Sequence, residues 1–121
     1  MKNLQIAGTG SAIADYLYTD VDFSCSAFKK YQSKQPGDGG LEPGKLVLTE
    51  DFEEYAETTI ETAVDEIVGQ RPPTSFNLGG PAPAALIAAA QMLYNHPAKV
   101  RFYAANGEDS AGERIRNILE R

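Results

Sequence analysis

Apolar residues recur along the chain with two different periods, and each period predicts one kind of element. Residues 15–23 alternate between apolar side chains such as Leu17 and Phe23 and polar or tyrosine side chains, which predicts a strand with one wet face. Over 50–68 the apolar positions follow a spacing of three and one residues, which predicts a single long helix that packs on a sheet. Gly69 is the expected end of that helix.

Shorter runs predict the rest of the fold. Further strands are expected over residues 4–7, 45–49, 74–78 and 99–105. A helix over 82–94 is apolar on every side, which predicts deep burial, and a last helix begins at Ser110, with Glu113 completing a capping box. Residues 24–44 are rich in Ser, Lys, Gln, Pro and Gly, which predicts a long mobile loop. The strand–helix–strand order from Thr74 onward predicts parallel strands covered by helices, and so an α/β fold.

Composition narrows the class of partner and the compartment. With 121 residues and a mass of 13.1 kDa, the chain has room for one domain over 1–121. A net charge of −6 argues against nucleic acid and against anionic membrane surfaces as partners. Cys25 is the only cysteine, which excludes an intrachain disulfide and favours a structural thiol in a reducing cytosol. No apolar run suits a signal-peptide core or a membrane span, which predicts a cytoplasmic location.

Two adjacent glycines, Gly79 and Gly80, join a predicted strand to a predicted helix. Glycine has no Cβ, so a ligand can approach the backbone closely there. Pro81 suits the first helical turn, and the free N–H groups of such a helix start favour oxygen-rich or anionic ligands. The same residues also fit a tight strand-to-helix turn that holds no ligand.

Asp15 follows the flexible turn at Gly10, early in a predicted strand. A carboxylate in this position can accept two hydrogen bonds from neighbouring hydroxyl groups, as sugar recognition requires. The alternative is an exposed turn aspartate without a ligand. The glycines of 8–13 superficially resemble a dinucleotide fingerprint, but Ile13 stands where the third Gly or Ala belongs, which argues against that site.

Residues 106–112 close a predicted strand and open the last helix. Ligands gather at such strand ends in open α/β sheets, yet Asp109 and Ser110 are also good capping residues, and capping is the favoured interpretation. The sequence contains no His, Cys and carboxylate cluster with metal-ligand spacing, no nucleophile elbow and no P-loop.

Taken in order, three segments of the sequence resemble the N-terminal part of the ribokinase-like (PfkB) carbohydrate kinases. They are the strand and turn over 6–15, the double glycine with its Ala-rich helix, and residues 100–112. Within the third segment, residues 107–112 are similar to the family's Gly-Asp-Asp-x-x-Gly signature. The resemblance implies an open, mostly parallel sheet flanked by helices, with a small β lid. The lid elements would lie within 16–49 and 70–78, and a homodimer through the lid is expected.

The resemblance also implies an enzyme that uses ATP and Mg²⁺ to phosphorylate a hydroxyl group of a sugar or nucleoside. Asp15 would bind the hydroxyl groups of this acceptor, and Gly79 and Gly80 would lie against it. Ala84 is at the acceptor-contact position where the family has an Asn, and Pro81 also departs from the family's pattern. The family's catalytic base, nucleotide site and Mg²⁺-linked motif lie downstream of this sequence. No catalytic residue is therefore expected in the chain, and the chain alone is expected to be inactive.

Two other interpretations stay open. In the first, the chain is a non-catalytic module that binds a small polyol or forms a dimer, as the departures at Pro81 and Ala84 favour. In the second, it is a structural α/β fragment without a site of its own. Arg121 falls in the last predicted helix without a stop signal, and the apolar helix over 82–94 needs cover on more than one side. Both features predict that the chain is part of a larger protein.

Overall fold

The computed structural model describes residues 3–120 and separates them into two compact units. The helical unit runs from Tyr18 to Thr74, and the strand unit combines the described chain up to Leu17 with the chain from Ser75 onward. In chain order the elements are β1 (Leu4–Thr9), β2 (Ile13–Leu17), α1 (Ser26–Tyr31), α2 (Thr49–Ala56), α3 (Ile60–Val68), β3 (Ser75–Gly79), α4 (Pro81–Met92), β4 (Ala98–Tyr103) and α5 (Ser110–Leu119). The α/β class is therefore confirmed. Arg121, which the sequence places in the last helix, lies outside the described residues.

Strands β1 and β4 form a parallel pair in the strand unit, with Leu4 opposite Ala98. Helix α4 contacts both strands. Val100 and Phe102 alternate along β4 with exposed side chains and are themselves half-buried. Both strands overlap the predicted runs. Strand β1 continues two residues beyond its predicted end, and β4 begins one residue before and ends two residues before its predicted bounds.

Strands β2 and β3 form a separate antiparallel ribbon in the strand unit. The predicted strand over 15–23 is wrong beyond Leu17, because the backbone of Asp20 turns into the left-handed region with φ 56°. Asp22 then accepts hydrogen bonds from the backbone N–H and the hydroxyl of Ser24, at 2.8 Å and 2.5 Å. Such a local turn competes with strand pairing for the same backbone groups.

The strands on either side of α4 belong to different sheets. Strand β3 runs antiparallel to β2, while β4 runs parallel to β1. The prediction that β3 and β4 form a β-α-β unit is therefore wrong within the described residues. The local pattern predicts where strands occur, but the partner of each strand depends on tertiary contacts that the pattern does not contain.

Deep burial of α4 is also wrong, because Pro83 is its one buried residue in the described structure. Ile87 is 37% exposed and Met92 is 82% exposed. A helix that is apolar on every side needs cover on every side. The parallel pair of strands that α4 contacts is too narrow to provide that cover.

The last helix, α5, begins at Ser110, but its N-cap is the preceding residue. The side chain of Asp109 accepts a hydrogen bond from the Gly112 N–H at 2.8 Å, so the capping box expected from Ser110 is wrong. Of the apolar side chains of this helix, Ile115 is buried, whereas Ile118 and Leu119 are each 37% exposed. The helix therefore begins where it is expected, but it has a different cap and its apolar side is only partly covered.

The helical unit is built around aromatic side chains. Tyr31 and Phe52 are 2% and 0% exposed, and their ring centroids lie 5.8 Å apart. The Tyr31 hydroxyl and the Lys30 ammonium donate to Oε2 of Glu66, at 2.8 Å and 3.0 Å, and these bonds lower the pKa of the Glu66 carboxyl. In this unit, the hydroxyl of the buried Tyr31 is therefore bound by the exposed carboxylate of Glu66.

The single helix predicted over 50–68 is wrong, because it is two helices, α2 and α3. Glu57 ends α2 with a left-handed φ of 53°. Thr59 then caps α3 by accepting a hydrogen bond from the Thr62 N–H at 3.3 Å. The predicted end at Gly69 is confirmed, with φ 65°.

The predicted loop over 24–44 contains helix α1, so that prediction is wrong in part. Cys25 caps α1, its sulfur accepting from the Phe28 N–H at 3.3 Å, which confirms a structural role for this thiol. After α1, the side chain of Asp38 stabilises the turn over 34–40 by accepting hydrogen bonds from the backbone N–H groups of Lys34, Gln35 and Gly40. The strand predicted over 45–49 is wrong as well, since Thr49 already begins α2 and the residues before it are in no strand of the described structure.

Candidate functional site

The antiparallel ribbon carries two predicted site residues on one face. Because side chains alternate along a strand, Asp15 shares its face with the residues two positions before and after it, and with the cross-strand partners of all three. We call this set the outer face of the ribbon. It consists of Ile13, Asp15 and Leu17 on β2 and of Ser75, Asn77 and Gly79 on β3. On the opposite face, Tyr16 and Phe76 pack edge to face at 5.2 Å, and the guanidinium of Arg114 lies 5.3 Å from the Phe76 ring centroid.

Asp15 lies directly over Gly79. A Cβ built on Gly79 would overlap the Oδ2 atom of Asp15 and would lie 3.1 Å from its Cγ. The carboxylate therefore occupies the space that any larger residue at Gly79 would need. The register places the two residues on diagonal positions of the ribbon, close enough for such an approach.

The turn between β1 and β2 meets the start of α4. Gly80 has φ 109°, a conformation that other residues rarely adopt, and a Cβ there would overlap the carbonyl oxygen of Ser11. A Cβ on Gly10 would lie 2.7 Å from the Cβ of Ala82. The two glycine segments that the sequence singles out are thus in contact, and they adjoin the Asp15 carboxylate.

The carboxylate of Asp15 is exposed, and no described residue donates a hydrogen bond to it. An exposed carboxylate retains its lone pairs for a ligand that carries hydroxyl or N–H donors. An unliganded surface aspartate has the same exposure. Asp15 differs from such a residue because its carboxylate packs against the backbone of Gly79, where no side chain intervenes.

The first turn of α4 is short of hydrogen-bond donors. Pro81 and Pro83 have no N–H, and the Ala84 N–H donates to the Gly80 carbonyl at 3.3 Å. Ala82 is therefore the residue of this turn whose N–H remains for a ligand. Together with the negative charge of the Asp15 carboxylate, this arrangement favours a neutral, oxygen-rich ligand over an anion.

Ala84, the remaining predicted acceptor-contact residue, lies on α4 and is exposed. Its methyl group cannot form a hydrogen bond, and its N–H is already used within the helix. Ala84 can therefore add contact surface to a bound molecule but no polar recognition.

The segment 106–112 uses its polar groups internally. The Asn106 side-chain amide donates to the Gly112 carbonyl at 2.8 Å, and Asp109 accepts from the N–H of the same residue. Gly112 is buried. The capping interpretation is confirmed for Asp109, and the groups that cap the helix are not available to a ligand.

Sequence reasoning missed Asn77, which lies opposite Asp15 on the outer face. Its side chain is exposed and has no hydrogen-bond partner among the described residues. The period of two in the strand already places Asn77 on the same face as Gly79. The missing information was that this strand pairs with the one that carries Asp15.

Other surfaces of residues 3–120 offer less chemistry. A groove of about 320 Å³ between α4, β4 and α5 is lined mainly by apolar side chains, Phe102 and Leu86 among them. No group of three or more His, Cys, Asp or Glu side chains in the described chain is placed to hold a metal ion. Within that part of the chain, no helix has the length and apolar character to cross a bilayer.

Comparisons of the chain with protein-family models, with curated proteins and with solved structures each gave no match. The geometry of the outer face is therefore the main support for a function.

Proposed function

We propose that this chain forms the acceptor-binding part of an ATP-dependent kinase that phosphorylates a hydroxyl group of a sugar or nucleoside. The observation that carries the proposal is the exposed Asp15 carboxylate, which lies over Gly79 and has no hydrogen-bond partner among the described residues. A carboxylate accepts hydrogen bonds from hydroxyl groups and so holds the acceptor in one orientation. Fixing the acceptor is a large part of phosphoryl-transfer catalysis, which depends on positioning and electrostatic stabilisation.

The resemblance to ribokinase-like kinases is supported by which segments meet. The strand and turn ending at Asp15 and the double glycine at Gly79 and Gly80 are both in the resemblance, and they are neighbours in the strand unit. The α/β class and the parallel pair of strands agree with part of an open, mostly parallel sheet. A lid with elements within 16–49 and 70–78, dimerisation through that lid and a cytoplasmic location stay predictions.

ATP and Mg²⁺ belong to the proposed reaction through the resemblance, which puts their sites downstream of this chain. When bound, they supply the phosphoryl group and the charge that neutralises its oxygens. The residues described here act on the acceptor alone. Asp15 binds its hydroxyl groups, and the backbone at Gly79 and Gly80 lets it approach closely.

A second candidate, a non-catalytic module that binds a small polyol, is favoured by the composition of the first turn of α4. Ala84 offers no polar side chain, and Pro81 and Pro83 remove two N–H donors. Such a module would bind polyols without ATP. The kinase assay below, together with calorimetry in the absence of ATP, distinguishes the two.

The test uses the protein as its own cell makes it, with its intact mass measured first. Transfer of phosphate from ATP to D-ribose, D-fructose and adenosine is then compared for the wild type and Asp15→Ala. Loss of a charged hydrogen-bond acceptor is expected to lower kcat/KM for the phosphorylated acceptor by about 10- to 100-fold.

Asp65→Ala is the matched control, because Asp65 is also exposed and lies on α3 in the helical unit. It is expected to leave kcat/KM unchanged. Equal turnover in wild type and Asp15→Ala would contradict the proposal. Binding of a polyol without any phosphorylation would favour the non-catalytic module instead.

A further inference from the structure

Asn77 lies directly across the ribbon from Asp15. In the antiparallel register the two residues are partners, and both side chains are exposed on the outer face. Directly opposite residues of an antiparallel pair have Cβ atoms about 4.5–5.5 Å apart. The two polar groups are therefore close enough to contact neighbouring atoms of one small ligand.

The two side chains have complementary hydrogen-bonding capacities. The Asp15 carboxylate only accepts hydrogen bonds, whereas the Asn77 amide has two N–H donors and an accepting oxygen. A hydroxyl group can donate to the first and accept from the second. One hydroxyl group can bridge the two side chains, but it leaves accepting capacity of the carboxylate and one N–H of the amide unused. Two hydroxyl groups on adjacent carbons can use this remaining capacity as well.

The surroundings of this pair suit a neutral sugar ring. Ile13 and Leu17 flank Asp15 on the same face and are 47% and 45% exposed, so they offer apolar surface to C–H groups. Arg114 lies on the opposite face of the ribbon, over the Phe76 ring, so it does not provide a positive charge on this one. An uncharged amide beside the carboxylate also leaves the face negative, which disfavours phosphorylated or carboxylated ligands.

We propose that Asn77 is a specificity-determining residue which, together with Asp15, makes the site select ligands with two adjacent hydroxyl groups. This inference rests on the proposed function, since it takes the outer face as the place where the acceptor binds. It narrows the acceptor class to sugars and nucleosides that carry a vicinal diol. It also assigns recognition to β3, ahead of the double glycine.

The test is calorimetric titration, without ATP, of the protein as its own cell makes it, with two pairs of probes. Adenosine is compared with 2′-deoxyadenosine, and methyl β-D-ribofuranoside with its 2-deoxy counterpart. The wild type is expected to bind each diol about tenfold more tightly than its deoxy partner, the usual effect of one neutral hydrogen bond to a ligand. Asn77→Ala is expected to weaken diol binding about tenfold and to leave deoxy binding within twofold, so that the preference disappears.

Asn117→Ala is the matched control, because Asn117 is an exposed amide on α5 that makes no side-chain hydrogen bond in the described chain. It is expected to change neither affinity. A second variant, Asn77→Asp, keeps the shape of the side chain and removes its N–H donors. The new carboxylate can only accept hydrogen bonds, so it cannot donate to the hydroxyl group that Asn77 is proposed to bind, and the diol preference is expected to fall.

The outcomes separate this inference from the proposed function. If Asn77→Ala keeps the tenfold preference while Asp15→Ala loses binding of all probes, the role of Asn77 is overturned and the proposed function stands. If Asp15→Ala binds the probes as the wild type does, or if the wild type binds none of them, both are overturned. Loss of the diol preference in Asn77→Ala and Asn77→Asp, with Asn117→Ala unchanged, supports the inference.

Discussion

Two carboxylates of the helical unit and two polar side chains on the outer face of the strand unit are used in opposite ways. In the helical unit, Asp38 accepts three backbone hydrogen bonds and Glu66 accepts from Tyr31 and Lys30. On the outer face of the strand unit, Asp15 and Asn77 have no hydrogen-bond partner among the described residues. Asp38 and Glu66 are thus held by contacts within the fold, whereas Asp15 and Asn77 make no such contact among the described residues.

The two units also differ in how completely they bury their apolar side chains. The helical unit buries Tyr31, Phe52 and Ala63 in one cluster. In the strand unit, α4 leaves Met92 82% exposed. Buried apolar area is the main source of folding free energy, so substitutions in the helical unit should affect stability most. Substitutions on the outer face should instead affect binding.

The largest expected effect on stability is that of Phe52→Ala. Phe52 is fully buried against Tyr31, so truncation removes buried area and leaves a cavity, at a cost of about 3–5 kcal/mol in the free energy of unfolding. Met92→Ala, in the exposed part of α4, is expected to change this free energy by no more than about 0.5 kcal/mol. Urea denaturation measures both variants, and equal losses would contradict the contrast between the units.

The next effect is that of Gly80→Ala, which tests the contact between the two glycine segments. Its φ of 109° is strained for alanine, and the new Cβ would overlap the Ser11 carbonyl oxygen. The control Gly44→Ala also has a positive φ, 76°, but no atom lies within 4 Å of the new Cβ.

We expect backbone strain to lower the free energy of unfolding of Gly44→Ala by about 1–2 kcal/mol. For Gly80→Ala we expect a further loss of about 1–3 kcal/mol, because the new Cβ must displace the Ser11 carbonyl group. Urea denaturation of the two variants measures the difference. If Gly80→Ala is no worse than Gly44→Ala, the double glycine does not hold the turn before β2 in place.

A smaller effect is expected for Asp38→Asn, which should change how the stability of the fold depends on pH. Burial opposes ionisation of Asp38, but the N–H groups of Gly40, Lys34 and Gln35 outweigh it and lower the pKa of this carboxyl from 3.8 to about 2. Since the folded-state pKa lies below the unfolded one, the carboxylate stabilises the fold above pH 3.8, and this contribution is lost as the pH falls toward 2.

Asp38→Asn should therefore be less stable than the wild type at about pH 6, and the difference should narrow at about pH 2. Urea midpoints at the two values measure this, with Asp65→Asn as a control that alters an exposed carboxylate on α3. A difference that stays constant with pH would mean that the carboxylate charge of Asp38 plays no part.

The smallest effect is that of Glu57→Gly, where α2 ends. Glu57 has a left-handed φ of 53°, which glycine adopts without strain, although glycine also makes the unfolded chain more flexible. The net gain is expected to be about 0.5 kcal/mol in the free energy of unfolding. Thermal unfolding measures it, and a loss of stability would argue against the break between α2 and α3.

How much could be predicted depends on whether a feature is local. Asp15, Gly79 and Gly80 were identified from a turn and a double glycine, which are properties of neighbouring residues. Their contact, and the partnership of Asp15 with Asn77, follow from the pairing of β2 with β3, which no local pattern contains. The sequence therefore indicates the candidate site residues one by one, but it does not indicate the face that they share.

The helical unit shows the same limit. The apolar spacing over 50–68 continues through the break at Glu57, so periodicity alone could not reveal it. Thr59, a good N-cap, was the available signal. Helix α1 has six residues, too few for a reliable period, and its buried Phe28 and Tyr31 lie in a segment whose polar composition predicted a loop.

The most direct test of the central claim is an NMR titration of the ¹⁵N-labelled chain with adenosine and with methyl β-D-ribofuranoside. If the free polar groups of the outer face bind hydroxyl groups, the amide signals of Ile13–Leu17 and Ser75–Gly79 should shift in a saturable manner. The same shifts should be absent in Asp15→Ala. Titrations that leave these amides unmoved in the wild type would contradict the claim that this face is a binding site.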